Sequence, residues 1–176
     1  SHEEIGSAVT FARARAVADW CAAEGVPWHE HRQTGVFRGG IDRDRRAAAW
    51  TAFMRKGPLP TPSSADLARV RVPPEAAALA LPVVSPDAVG HALTDAQRAL
   101  RQPVSETAAR ATHDGFLTER GAGYAGGISS PNTAFVSGSR LSVHLAWGTV
   151  TGRAVFAATE ARQAEARAQT GDAARQ

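Results

Sequence analysis

Every stretch of helical periodicity in this chain is closed by glycine or proline within a few turns. Gly25 ends the first, Gly57 with Pro58, Pro60 and Pro62 ends the second, and Pro103, Gly121, Gly123 and Gly148 punctuate the rest. Glycine supplies the left-handed residue that terminates a helix, and proline cannot continue one. A chain cut up in this way forms separate helices more readily than a continuous sheet. The spacing predicts a mainly α protein.

Hydrophobic residues make up 43% of the 176, but Ala supplies much of that share and aromatic residues only 6%. The core is therefore expected to be helical and lined by Ala, with few large side chains to anchor it. The length matches about one domain. A net charge of +3 is carried almost wholly by Arg, since Lys56 is the only Lys. Guanidinium groups keep their charge and grip phosphate with a planar fork, so nucleic acid or an anionic cofactor fits; compositional bias gives the same Arg excess. A single cysteine, Cys21, excludes an internal disulfide framework, and no Cys/His spacing indicates a metal. No signal peptide or apolar span is evident, and a cytoplasmic setting is expected. The start, SHEEIGSAV, lacks Met and reads as a truncation.

Along the chain, residues 7–24 read as a helix with Val9, Ala12, Ala16, Val17, Trp20 and Cys21 on its spacing, and Val26–His31 alternates like a strand. Helix, glycine and strand form half of a βαβ unit, so residues 1–40 are assigned as the C-terminal remnant of a Rossmann-like α/β domain. Asp42 caps a helix carrying Ala47, Trp50, Phe53 and Met54. Residues 41–86 comprise this helix and a Pro-rich linker with helical pieces near 65–70 and 75–81. Residues 87–176 are assigned to a helical domain. It begins with a weak helix over 87–101 (anchors Val89, Leu93 and Leu100). A clearer one runs from Ser105 to Arg120 with Phe116 and Leu117 at its core end, and a Gly/Ser loop follows. A short helix over 142–147 comes next, then a final helix capped by Thr151 and reaching about Gln169.

The chemically distinctive stretch lies in this last segment. No Asp or Glu occurs from Arg120 through Thr159, while Arg120, Arg140, Arg153 and His144 fall inside that run. Within it, Ser137-Gly138-Ser139-Arg140-Leu141-Ser142 leads from small residues into a helix start, where unpaired N–H groups suit a phosphate. Gly138 would allow close backbone approach, Ser139 and Ser142 offer hydroxyls, Arg140 a cation, and Leu141 faces the core. An ordinary helix cap with Arg140 in a structural ion pair accounts for the same residues. Tyr124 is the only Tyr and either packs on the loop or contacts the anion.

GSRLS leading into an apolar helix, with Tyr124 upstream in a Gly-rich approach, resembles the flavin-binding domain of the DNA photolyase and cryptochrome family. There a (T/C)SRLS-type motif and an upstream Tyr hold the phosphates of FAD. The run FLTERGAGYAGGISSPNTAFVSGSRLSVHLAWGTVTGR is similar to that region of bacterial members. More weakly, AVADWCAAEGVPWHEHRQTGVFR is similar to the end of the family's α/β antenna domain. Gly138 stands where the family usually has Thr or Cys, and Val143 where Pro often follows. The lost hydroxyl should cost one hydrogen bond, about 1 kcal/mol. The resemblance implies an internal fragment of a blue-light flavoprotein, a deoxyribodipyrimidine photolyase that repairs cyclobutane pyrimidine dimers in UV-damaged DNA. FAD phosphates would be contacted by Tyr124, Gly138, Ser139, Arg140, Leu141 and Ser142, and the fragment alone would repair nothing. A non-repairing cryptochrome sensor and a flavin-free basic helical module that binds DNA are the alternatives.

The other candidates are read as structural. Trp20, Trp28, Trp50 and Trp147 are assigned to the core and Ile128, Phe135 and Val136 to loop anchors. His29 and His31 are assigned to solvent, and Cys21 to the interior. Arg38, Arg43, Arg45, Arg46 and Arg55 cluster in sequence without interleaved aromatics and read as a solvated helix face.

Overall fold

A computed structural model describes residues 2–3, 6–38, 42–78, 84 and 93–173. Its α-helices are α1 (Ala8–Ala23), α2 (Arg43–Met54), α3 (Ser64–Arg69), α4 (Pro74–Ala78), α5 (Asp95–Leu100), α6 (Glu106–Thr118), α7 (Tyr124–Gly127), α8 (Pro131–Ser137), α9 (Ser142–Ala146) and α10 (Gly152–Ala173), with a 3₁₀ turn over Arg120–Gly123 between α6 and α7. The mainly α class is as expected. Two compact units emerge: residues 1–58 together with 150–176, and residues 59–149. The expected segments 1–40, 41–86 and 87–176 do not coincide with these units.

Capping chemistry sets most helix starts. The Ser7 hydroxyl accepts the Thr10 N–H at 3.2 Å, Asp42 accepts from Asp44 at 3.1 Å, Ser105 from Ala108 at 3.0 Å and Thr151 from Ala154 at 3.2 Å. Ser63 with Asp66 and Thr94 with Gln97 form reciprocal capping boxes that start α3 and α5 in the linker region. Gly25, Gly57 and Gly148, each with φ near +69°, follow the ends of α1, α2 and α9.

The first unit is built on α2 and α10, which carry edge-to-face Trp50 and Phe156 rings 5.5 Å apart. Arg153 lies over the Phe53 ring at 4.2 Å and donates to the Gly57 carbonyl, and Arg55 reaches Glu160 at 2.8 Å. Phe53 and Met54 are buried, and α1 buries only Ala14 and Cys21. Gly35, at φ +71°, lies so close to α2 that a Cβ there would meet Phe53 at 2.8 Å. The second unit buries Ala109, His113, Leu141 and His144. Its short helices approach closely through glycine: a Cβ at Gly121 would lie 2.6 Å from the Phe116 carbonyl oxygen, and one at Gly127 would overlap Ser137.

Several expectations are corrected. Val26–His31 is not a strand; only an isolated parallel bridge joins His31 to His2, supported by the Glu3 N–H to the His31 carbonyl at 3.0 Å. One bridge without a neighbouring ladder cannot propagate, and the described residues contain no strand. The Gly/Ser loop is largely helical, because Ser130 caps α8 with Pro131 at its first position, a strong start signal. Gly121 and Gly123 do not stop the chain after α6 but tighten it into the 3₁₀ turn.

The aromatic assignments change as well. Trp147 is 75% exposed and Trp20 59%, so neither is core; Trp147 follows the last residue of a five-residue helix. Trp50 is exposed in part as well. Phe135 and Val136 are exposed too, and Leu100, an expected anchor, is 80% exposed. Val89, Leu81 and the start of the 87–101 helix lie outside the described residues. His29 and His31 are exposed and Cys21 is buried, as read.

Candidate functional site

The residues singled out between Gly138 and Ser142 form a turn joining α8 to α9. Gly138 ends α8: its N–H donates to the Ala134 carbonyl at 2.8 Å, and a Cβ there would approach the same oxygen to 2.6 Å. The missing side chain at Gly138 thus serves the helix end, whatever else it permits. Arg140 follows with φ +58°, the one positive φ outside glycine among the described residues, and Leu141 returns to φ −88°, ψ −9°. Consecutive residues of opposite hand turn successive N–H groups toward one concavity, the geometry of an anion-binding nest. Left-handed backbone costs a non-glycine residue about 1–2 kcal/mol, and such strain persists only where surroundings impose it.

Those surroundings are visible. Arg120 donates to the Ser139 carbonyl at 3.3 Å and to the Thr112 carbonyl at 2.7 Å. Gln102 donates to the Arg140 carbonyl at 2.8 Å, and Leu141 is buried at 4% exposure. The carbonyls of 139 and 140 are therefore tied down, while no acceptor among the described residues takes the N–H groups of Arg140, Leu141, Ser142 or Val143. The hydroxyls of Ser139, half-buried, and Ser142, exposed, have no protein partner among those residues either. The Arg140 guanidinium lies 4.1 Å over the Phe135 ring and pairs with no carboxylate among the described residues. Because α9 has only five residues, the turn offers an anion N–H groups and a guanidinium rather than a long helix dipole.

Beneath the turn lies a network that the sequence did not disclose. His144 is fully buried, with Nε2 2.9 Å from Gln102 Nε2 and Nδ1 3.0 Å from Thr149 Oγ1. The Gln102 amide is orientated by the Arg140 carbonyl, since its own carbonyl there would face another acceptor. Its second N–H then points at His144 Nε2, which must accept, and the ring proton sits on Nδ1, donated to Thr149 Oγ1. The Thr149 hydroxyl in turn reaches the His144 carbonyl at 3.4 Å. Both ring nitrogens of His144 and the Thr149 hydroxyl have partners, and the far end of the chain holds the carbonyl of the left-handed Arg140.

The three arginines and the histidine of the acid-free run therefore differ in role. Arg120 is a carbonyl clamp, His144 a buried strut, Arg153 a partner of Phe53 in the other unit, and Arg140 alone is placed to meet an anion at the turn. Tyr124 opens α7 with its ring edge-to-face on Phe116, 5.6 Å between centroids, and is 43% exposed. No hydrogen bond, ion pair or ring contact joins it to residues 138–142 among the described residues. Nearby in sequence, His113 is buried with no partner for Nε2, and burial pushes its pKa below the ordinary 6.5 against a smaller opposing pull from Asp114. No cluster of His, Cys, Asp or Glu among the described residues is suited to a metal, and none of the helices there is long and apolar enough to cross a membrane. No family model, curated protein or solved structure matches the chain.

Proposed function

We propose that the 138–142 turn seats the diphosphate of a flavin nucleotide, and that the chain is part of a blue-light flavoprotein resembling DNA photolyase. The observation that carries this reading is the left-handed Arg140, held over a tethered backbone so that consecutive N–H groups find no acceptor among the described residues, beside a guanidinium that pairs with no carboxylate there. The motif GSRLS, on which the resemblance rests, coincides with that turn. Arg140, the amides of 140–142 and the hydroxyls of Ser139 and Ser142 would hold FAD phosphates. Leu141, Gln102 and Arg120 position them, and Gly138 shapes the turn. Tyr124 joins the set through the resemblance alone.

Bound FAD would supply light-driven electron transfer to a pyrimidine dimer in UV-damaged DNA. The residues here bind and orient its phosphates, and the flavin ring and lesion contacts lie outside them. On this reading residues 1–40 are the end of an antenna domain, the working compartment is the cytoplasm, and the isolated chain binds FAD weakly and repairs nothing. Adding pyrophosphate to ¹⁵N-labelled protein should shift the amides of residues 140–143, and Arg140→Ala should suppress those shifts at least tenfold. Undisturbed amides at saturating pyrophosphate, or equal shifts in the variant, would remove the basis of the proposal.

A further inference from the structure

A second hollow, of about 570 Å³, lies in the first unit and is lined by residues 35–37 and by one face of α2. On α2 the lining residues Arg43, Arg46, Ala47, Trp50 and Thr51 recur at three- and four-residue spacing, so they share a single stripe. Opposite them stand Val36 and Phe37. The hollow falls in the size range of small-molecule sites, about 300–1,000 Å³. In sequence these arginines show no aromatic interleaving; the fold supplies it by folding Gly35-Val36-Phe37 back onto α2. Gly35 makes that approach possible, since a Cβ would meet Trp50 Cδ1 at 3.1 Å as well as Phe53.

The walls are set before any ligand arrives. Phe156 braces the Trp50 ring edge-on, and Arg32 lies 4.1 Å over Phe37. Trp50 nevertheless stays 38% exposed, which leaves ring surface open to a guest. At the rim, Arg43 and Arg46 pair with no carboxylate among the described residues. The neighbouring Asp42 is occupied as the cap of α2, accepting the Asp44 N–H, and neither Asp lines the hollow. Two guanidiniums one turn apart suit a doubly charged phosphate better than a single carboxylate, while flat apolar walls suit an aromatic ring.

We infer that this hollow binds a nucleoside monophosphate, its base between Phe37 and Trp50 and its phosphate on Arg43 and Arg46. The site is separate from the turn at Arg140 and requires nothing of it. The test is a titration of the full chain with AMP, adenosine and inorganic phosphate, followed by calorimetry and by amide shifts of residues 35–38 and 43–51. AMP should bind and shift these amides, and adenosine or phosphate alone should bind at least tenfold more weakly. Arg43→Ala with Arg46→Ala should weaken AMP at least tenfold, whereas Arg45→Ala, which removes the same charge from an exposed position off the lining, should change it less than twofold. Equal binding of AMP and adenosine, an equal effect of Arg45→Ala, or no AMP binding at millimolar concentration would overturn the inference. A ten-residue single-stranded oligonucleotide that bound where AMP did not would overturn it too, since the hollow would then be one step of an extended nucleic-acid surface.

Discussion

At Gln102 one side-chain amide fixes two things at once: the carbonyl of the left-handed Arg140 and the tautomer of His144. Removing it leaves a buried imidazole nitrogen and a carbonyl without donors, and each unpaired buried group costs about 1–3 kcal/mol. Gln102→Ala should therefore lower the unfolding free energy by roughly that amount per group, read from urea midpoints. Gln102→Glu should not restore it, because a carboxylate presents acceptors to acceptors. Gly138 gives a second expectation at this scale. A Cβ 2.6 Å from the Ala134 oxygen must displace the end of α8, so Gly138→Ala should destabilise by about 1–3 kcal/mol. The Thr or Cys usual in the resembled family would meet the same obstruction in this backbone. Arg140→Gly has the opposite sign: it relieves a left-handed residue, gaining about 1 kcal/mol, less whatever the stack on Phe135 contributes, while removing the guanidinium from the turn.

At the scale of elements, what could be read was local chemistry. Ser7, Asp42, Ser105 and Thr151 were legible as helix starts because a cap needs only its own next three residues. The same logic was available at Ser130-Pro131 and was obscured by the glycines around it, which made α7 and α8 look like loop. Val26–His31 alternates correctly, yet alternation only permits a strand; the partner edge decides, and here the partner is one residue of the N-terminus. Burial of aromatics was the least legible, since Trp147 and Trp20 face solvent while two histidines are among the most buried residues. The turn at 138–142 was located in sequence from its lack of carboxylates. The clamps on it, Gln102 and Arg120, come from 38 and 19 residues away, and no short-range pattern announces them.

For the molecule as a whole, His113 sets an expected acid sensitivity. Its folded pKa lies below the ordinary 6.5 because burial disfavours the charged ring. The folded state therefore binds this proton less readily than the unfolded one. Its contribution is fully present above 6.5 and lost as pH falls from there through the lower folded value. Thermal unfolding at pH 7.5 and 5.0 should show the loss, and His113→Gln should flatten it. The division of the chain yields another expectation. Trp50 and Phe53 find Phe156 and Arg153 beyond residue 150, so deleting residues 150–176 should expose the inner face of α2. Hydrogen exchange should then lose protection across α2 while α6–α9, in residues 59–149, keep theirs.

That interleaved division also bears on how the polypeptide is made. Residues 1–58 leave the ribosome well before the stretch 150–176 that completes their unit, and at about 5–20 residues per second the intervening 59–149 take on the order of ten seconds to synthesise. During that interval α2 lacks the Phe156 ring against Trp50 and the Arg153 guanidinium over Phe53. The central unit, residues 59–149, has all of its own segments at hand once residue 149 has emerged.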